Sequence, residues 1–342
     1  MCGINHLVGI DLLDDDKATL SNLTIIERDA LALFRQRYNE YAPPINDECG
    51  DDDFDDQDDE SEEEKKEASS SSCLLGIDTN SMSKQREPKY ERSNHDLPES
   101  GWRPVDDYTL YRYMNADRNK NDGTFDIDTS CRRLLDALQF RKDHDCDIIV
   151  QNVIHDTIPS TVQQCLTYKS GIYAGRDYKH RPVVFERLGQ FLGSGHAQKC
   201  SDDEWITAYL YVLEMHFAKM RESSQEHKIP VQKIMYYADF TGIVSSIMSG
   251  EIWKAINLMR MIVNTVEKHY PEIVECITLF NVPLIMSSSF NVVRAFLDPV
   301  TAEKIGIHSG VPLENFKEVM SEHVIPAEYG GMNEMDFPSM SA

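Results

Sequence analysis

Eight cysteines, eleven histidines and fifty-eight acidic residues supply ample material for chemistry, but little of it stands at a reactive spacing. Cys2, Cys49, Cys73, Cys131, Cys146, Cys165, Cys200 and Cys276 contain no C-x-x-C pair, the spacing of zinc sites and redox dithiols. They read as reduced thiols, buried or incidental, of a reducing compartment. His216 shares one helical face with Tyr209, Val212, Leu213, Phe217 and Met220, and no second histidine stands beside it at metal spacing. It reads as a hydrogen-bonded core histidine rather than a ligand. Gly193-Ser194-Gly195-His196 has the glycines of a phosphate loop but no lysine in register, and reads as a plain loop. No G-x-G-x-x-G follows a strand, and no Walker loop, H-E-x-x-H or G-x-S-x-G is present. A sheet without a catalytic constellation points to binding rather than bond making. The expectation is a non-enzyme with no metal and no cofactor.

The charge balance narrows the partners. Thirty-four bases against fifty-eight acids give a net −24, which opposes a nucleic-acid-binding surface. The deficit is local. Residues 46–67 hold 14 acids and 2 bases, net −12, whereas residues 101–342 hold 32 acids and 24 bases, net −8. With the serine tract Ser69–Ser72, residues 46–100 read as an acidic, disordered linker. Ser61, followed by Glu62, Glu63 and Glu64, has the setting an acid-directed kinase favours, though a solvated linker is the simpler reading. The segment is expected to be repelled by anionic membranes, and could recruit a basic protein partner. Met1 to His6 shows neither the basic nor the apolar part of an export signal, and no apolar run approaches the ~20 residues of a membrane span. At ~150 residues per domain, 342 residues make about two units, and a hydrophobic fraction of 41% supports a sizeable core.

The elements follow from caps and periodicity. Thr24 with Glu27 is a capping box that opens a helix to Tyr41, with Ile26, Ala30, Leu33 and Phe34 as its apolar stripe and Pro43-Pro44 beyond it. This helix reads as docking on the main body. Asp106–Met114 and Thr129–Arg141 form a helical unit, the latter with Leu134, Leu135 and Leu138 on one face. Arg181–Gly189 reads as a strand. Ser201 with Glu204 caps the helix that carries His216. Lys233–Phe240 is a strand, and Glu251–Tyr270 a long amphipathic helix with Ile252, Ile256, Met259, Val263, Val266 and Tyr270 at steps of three and four. Glu275–Asn281 returns as a strand, so the stretch is a βαβ unit with parallel strands. A helix over Ser288–Leu297, a strand over Glu303–Ile307 and a helix over Val311–Ser321 complete the chain.

Six motifs in this order carry a resemblance. They are Arg181-Pro182-Val183-Val184-Phe185-Glu186 with Leu188-Gly189; Asp239-Phe240-Thr241-Gly242; Tyr270-Pro271-Glu272; Asn281-Val282-Pro283; Phe296-Leu297-Asp298-Pro299-Val300-Thr301 with Lys304-Ile305; and Pro326, Tyr329, Gly330 and Gly331. Together they resemble the CRAL-TRIO lipid-binding domain, in particular the yeast-type phosphatidylinositol/phosphatidylcholine transfer proteins. The resemblance implies an α/β fold: a lobe with a mostly parallel sheet and helices forming a lipid cavity, preceded by a small helical domain. The expected divisions are a helical segment 1–45, the acidic linker 46–100, a helical domain 101–165, the lipid-binding domain 166–332 and a tail 333–342.

The resemblance also implies a site. Glu272, Thr301 and Lys304 take the positions of the inositol phosphate group, where a lysine faces the phosphodiester, a hydroxyl donates and a carboxylate holds the lysine or accepts from inositol. Arg112, Tyr236 and Asp239 stand at further ligand-binding positions. Phe290, Val293, Phe296 and Leu297 occupy the gate helix that swings at a membrane. Asp117 departs from the pattern, replacing a basic residue with Arg118 beside it. Ile234 and Tyr236 depart too, replacing the small polar residues that hold phosphatidylcholine. An aromatic such as Tyr236 or Tyr237 still meets a quaternary ammonium face-on. The second ligand stays open, a sterol or isoprenoid included.

The function so implied is a cytoplasmic, transiently membrane-associated protein that binds phosphatidylinositol one molecule at a time and exchanges or presents it between membranes. Two rivals remain: a regulatory protein that holds another apolar ligand while its acidic segment recruits a partner, and an enzyme on the same sheet.

Overall fold

The computed structural model describes residues 23–41, 105–119, 122–244, 252–283 and 304–338. The acidic linker, Thr301 and the gate-helix residues Phe290, Val293, Phe296 and Leu297 lie outside the described residues. The described residues all belong to one compact unit.

Helix α1 (Ile25–Tyr41) begins as its capping box dictates. The Thr24 backbone N–H donates to Glu27 at 2.8 Å, and the Glu27 N–H donates back to the Thr24 hydroxyl at 3.2 Å. Its buried stripe is Leu31, Phe34 and Tyr38. Ile26 and Leu33, expected inside, are 69% and 49% exposed. Three-four spacing admits neighbouring stripes, and the two aromatics have more area to bury. This face packs against α2 (Asp107–Ala116) and α3 (Ile127–Asp143), so α1 docks on the helical unit as expected. Two short helices, α4 (Cys146–Ile154) and α5 (Ser160–Thr167), lead into the sheet lobe.

Among the described residues the sheet has five strands in the order β1 (Gly171–Arg176), β2 (Pro182–Glu186), β3 (Ile234–Asp239), β4 (Val274–Phe280) and β5 (Ile305–Ile307). Only β1–β2 is antiparallel, and every later pairing is parallel. Helix α6 (Leu188–Gly193) begins where the sequence extended the β2 strand. Helix α7 (Asp202–His227) carries the expected Ser201–Glu204 capping box, and α8 (Ile252–His269) bridges β3 and β4.

Alternation along the strands divides the core in two. On one face Val183, Phe185, Met235, Tyr237 and Phe280 pack under Phe316 of α9 (Leu313–Val319) and under Tyr329. The other face carries Val184, Ile234, Tyr236 and Ala238 toward α7 and α8. The closing Gly330-Gly331 is a steric requirement. Gly330 has φ +92°, and a Cβ on Gly331 would lie 2.0 Å from the Ile325 carbonyl oxygen.

Candidate functional site

The predicted headgroup residues Glu272 and Lys304 meet. The turn from α8 into β4 places Glu272 at φ +59°, in the left-handed region that costs a non-glycine residue roughly 1–2 kcal/mol. Lys304 stands one residue before β5, which pairs in parallel with β4. Its ammonium donates to both Glu272 oxygens at 3.0 Å. The Glu272 side chain is 8% exposed and that of Lys304 20%.

This pair terminates a longer ladder. Asp177 meets Arg181 at 2.7 Å, Arg181 meets Glu275 at 2.6 Å, and Glu275 meets Lys233 at 3.2 Å. Lys233 in turn lies 3.4 Å from Glu272. Arg181, Lys233 and Lys304 each stand directly before a strand of the parallel set, so the ladder runs along the edge where β2, β3, β4 and β5 begin. Interior cations have a carboxylate on either side. Lys304 is the end member: among the described residues its only partner is Glu272, and an ammonium has three N–H groups. That leaves one donor without a partner among the described residues.

The remaining predicted ligands lie elsewhere. Asp239 sits at the far end of β3, five residues from Ile234 and roughly 16 Å along the strand at ~3.3 Å per residue. Its carboxylate accepts from the Thr241 N–H and hydroxyl, from Asn281 at 2.9 Å and from the Tyr329 hydroxyl at 3.1 Å. Asp239 therefore pins the strand ends together, away from Glu272 and Lys304. Arg112 contacts neither Glu272 nor Lys304. It turns between helices, over the Phe217 ring at 5.0 Å. The departures are resolved as well. Asp117 folds inward onto Arg133 at 2.7 Å, and burial pushes its carboxyl pKa up despite that arginine. Arg118 reaches outward to Glu27 at 3.3 Å and lies over Phe125.

Tyr236 belongs to a second polar group, on the helix-covered face of the sheet. Its hydroxyl donates to the buried carboxylate of Glu186. Lys169 pairs with Glu186 at 3.2 Å and lies 4.6 Å from the Tyr209 ring centre. Burial opposes the Lys169 charge, and Glu186 restores it, for a net upward shift. Burial, then Glu186, drives the Tyr236 hydroxyl pKa far up, so it stays a neutral donor. Close by, Tyr173 hydrogen-bonds Nδ1 of His216. Lys169 and Glu186 escaped sequence reading, because 17 positions separate them and only the antiparallel turn at β1–β2 brings them together. Ile256 and Met259 of α8, Ile277 of β4 and Ile305 and Ile307 of β5 pack against the core of this face and are only partly buried.

His216 is the core histidine the sequence implied, 5% exposed. Burial first, then the Lys169 charge, lowers its pKa from 6.5 to about 3. Below pH 6.5 the unfolded chain gains a proton that the folded protein refuses, so stability falls as pH drops from 6.5 toward 3. At pH 5 the loss from this one group is about 2 kcal/mol. Urea denaturation at pH 7 and pH 5 should show a loss smaller by that amount in His216→Gln. Equal losses in both proteins would refute the assignment.

Among the described residues no helix is long and apolar enough to cross a membrane, and five cysteines, Cys131, Cys146, Cys165, Cys200 and Cys276, are free.

Residues 166–331 match the CRAL/TRIO domain family. A "SEC14 cytosolic factor" of Candida glabrata is 27% identical over 242 residues, covering 68% of this chain and 72% of the relative. Its counterpart in Eremothecium gossypii is 24% identical over 259 residues, covering 75% and 79%. "Protein real-time" of Aedes aegypti is 26% identical over 246 residues, 71% of this chain, which spans only 34% of that longer protein. The crystal structure of Sfh5 superposes with a TM-score of 0.51 at 16% identity, covering 67% of this chain and 72% of that one. The sheet and the ordered motifs agree with the match of residues 166–331 to the CRAL/TRIO domain family, and the chain is similar to the SEC14 cytosolic factors.

Proposed function

We propose that this protein binds a phospholipid, phosphatidylinositol in particular, one molecule at a time, and exchanges it between membranes or presents it to a lipid-modifying enzyme. The carrying observation is the end position of Lys304. A phosphodiester needs a cation that is fixed in place yet not neutralised from every side, and Glu272 provides that fixation. The half-buried apolar surface of α8, β4 and β5 supports a chamber for acyl chains. At ~0.8 kcal/mol per CH₂, such a chamber competes with a bilayer for two chains. Thr301 would add a hydroxyl, and the segment with Phe290, Val293, Phe296 and Leu297 would gate entry. In this reading no covalent bond is made or broken. The protein works in the cytoplasm, in passing contact with membranes, as the name of the SEC14 relatives fits.

The test is native mass spectrometry with lipid extraction on protein purified from eukaryotic cells, paired with vesicle-to-vesicle transfer. Wild type is expected to carry phosphatidylinositol, and Lys304→Ala to lose it and transfer it about tenfold more slowly, the effect of one charge-assisted hydrogen bond. A co-purifying sterol or other neutral ligand that Lys304→Ala leaves in place would refute the headgroup assignment. A reproducibly empty chamber would favour the regulatory reading.

A further inference from the structure

A charged cavity lies beside the ladder: its lining residues Gln232 and Tyr270 are one and two positions from the ladder's Lys233 and Glu272. It opens where α2, α3, α7 and α8 converge, and has a volume of about 40 Å³ on a scale where one water takes about 10–15 Å³. Arg112, Arg141 and Arg221 line it, with Gln232, His269 and Glu214. Glu214 is committed: it accepts from Arg141 at 2.6 Å and from the Tyr270 hydroxyl at 3.1 Å. Asp106, at the rim, is committed to capping α2 through Thr109. Three guanidinium groups against two carboxylates leave a net positive charge.

The unpaired lining atoms point the same way apart from Nδ1 of His269, which donates or accepts according to tautomer. Nε and Nη1 of Arg112, Nε of Arg141 and Nε2 of Gln232 are all buried without an acceptor. Each is an N–H donor. Native proteins seldom leave such donors bare, because each lost bond to a charged group is costly. Burial lowers the pKa of the Arg112 and Arg221 guanidiniums, which a bound anion would reverse. A carboxylate accepts through lone pairs that lie in one plane, whereas these donors belong to α2, to α3 and to the segment before β3. A tetrahedral oxyanion offers an acceptor to each side, and the volume of about three waters admits one.

The geometry points to an anion site in this cavity that takes a phosphate group, as inorganic phosphate or as an accessible phosphomonoester. Its ligands are Arg112, Arg141, Arg221 and Gln232. The site stands independently of the lipid reading. Because its ligands come from the helical unit and from the sheet lobe, the occupant would bind the two together.

The experiment is calorimetric titration of the full chain with inorganic phosphate, at constant ionic strength with chloride as the reference, alongside thermal unfolding. Wild type is expected to bind one phosphate saturably and to melt at higher temperature as phosphate rises. Arg112→Gln should bind about tenfold more weakly, while the exposed Arg132→Gln should match wild type. Should Arg112→Gln fail to fold, Arg221→Gln, nearer the rim, carries the same expectation. Vesicles bearing a phosphatidylinositol monophosphate distinguish the sources. Competition between vesicles and free phosphate that depends on Arg112 assigns a lipid headgroup, and phosphate binding without competition assigns the free ion. No saturable binding by wild type, or equal affinity in the arginine variants, would overturn the site in favour of a water-filled cavity.

Discussion

Glu214→Gln is expected to lower the melting temperature on the order of 10 °C, from a loss of about 3–5 kcal/mol. Glu214 is 2% exposed and holds the Arg141 guanidinium at 2.6 Å, with the Tyr270 hydroxyl on the same oxygen. Burial works against the Arg141 charge, and the adjacent Glu214 outweighs it, so the pKa of the guanidinium moves up and it stays charged. Neutralising Glu214 leaves the buried Arg141 only the half-exposed carboxylate of Asp147, at 3.8 Å, in a cavity that Arg112 and Arg221 also line. Repulsion and desolvation then act together. The pair as a whole is worth far less than its halves, because an apolar pair of similar volume avoids the desolvation of both ions. The double variant Arg141→Met, Glu214→Leu should therefore recover much of the loss. Thermal and urea unfolding of the three variants measure this. A Glu214→Gln change under 1 kcal/mol, or a double variant as unstable as the single one, would refute the account. If the cavity holds phosphate, added phosphate should also rescue Glu214→Gln more than it stabilises wild type.

Phe185→Ala is expected to cost about 3–5 kcal/mol, a large fraction of the stability of an ordinary domain. Phe185 lies in β2, between its neighbours β1 and β3, and is fully buried. Its ring stacks on Tyr237 at 4.9 Å and Tyr329 at 5.6 Å, and meets Phe316 edge-on at 5.6 Å. Truncation empties a space bounded by rigid strands and by the closing Gly330-Gly331 turn, none of which can collapse into it freely. Phe185→Leu, which keeps much of the volume, should cost about half as much. Denaturant midpoints at unchanged slope give the comparison. A cost below 1.5 kcal/mol for Phe185→Ala would show that this face repacks. The next residue, Glu186, faces the opposite side of the sheet. The two neighbours thus separate stability from the surface proposed to hold lipid.

Much of this protein is legible in one dimension because the signals are local. The Thr24–Glu27 and Ser201–Glu204 boxes close within three residues, so two helix starts follow from composition alone. The three-four spacing over Ile252–His269 fixes a helix, and the flanking apolar runs fix β3 and β4. Even so, β1 escaped, since Gly171–Arg176 has two glycines and little alternation. The motif order supplied the CRAL/TRIO resemblance, and with it Glu272 and Lys304, which do meet.

Tertiary structure decided which faces and partners those elements use. On α8 the deeply buried stripe is Ala255, Leu258 and Ile262, while Ile256 and Met259 of the expected stripe are only partly covered. Periodicity shows that a helix has an apolar face, whereas the neighbours choose which strip of a wide face is sealed. Arg112 and Asp239 belong to separate groups, one between helices and one at the far ends of the strands. The ladder from Asp177 to Lys304 draws together residues as much as 127 positions apart, because parallel strands stand side by side only after intervening helices have crossed over. A buried charge must find its partner in space, and the sequence records which charges exist but not which of them the fold makes neighbours.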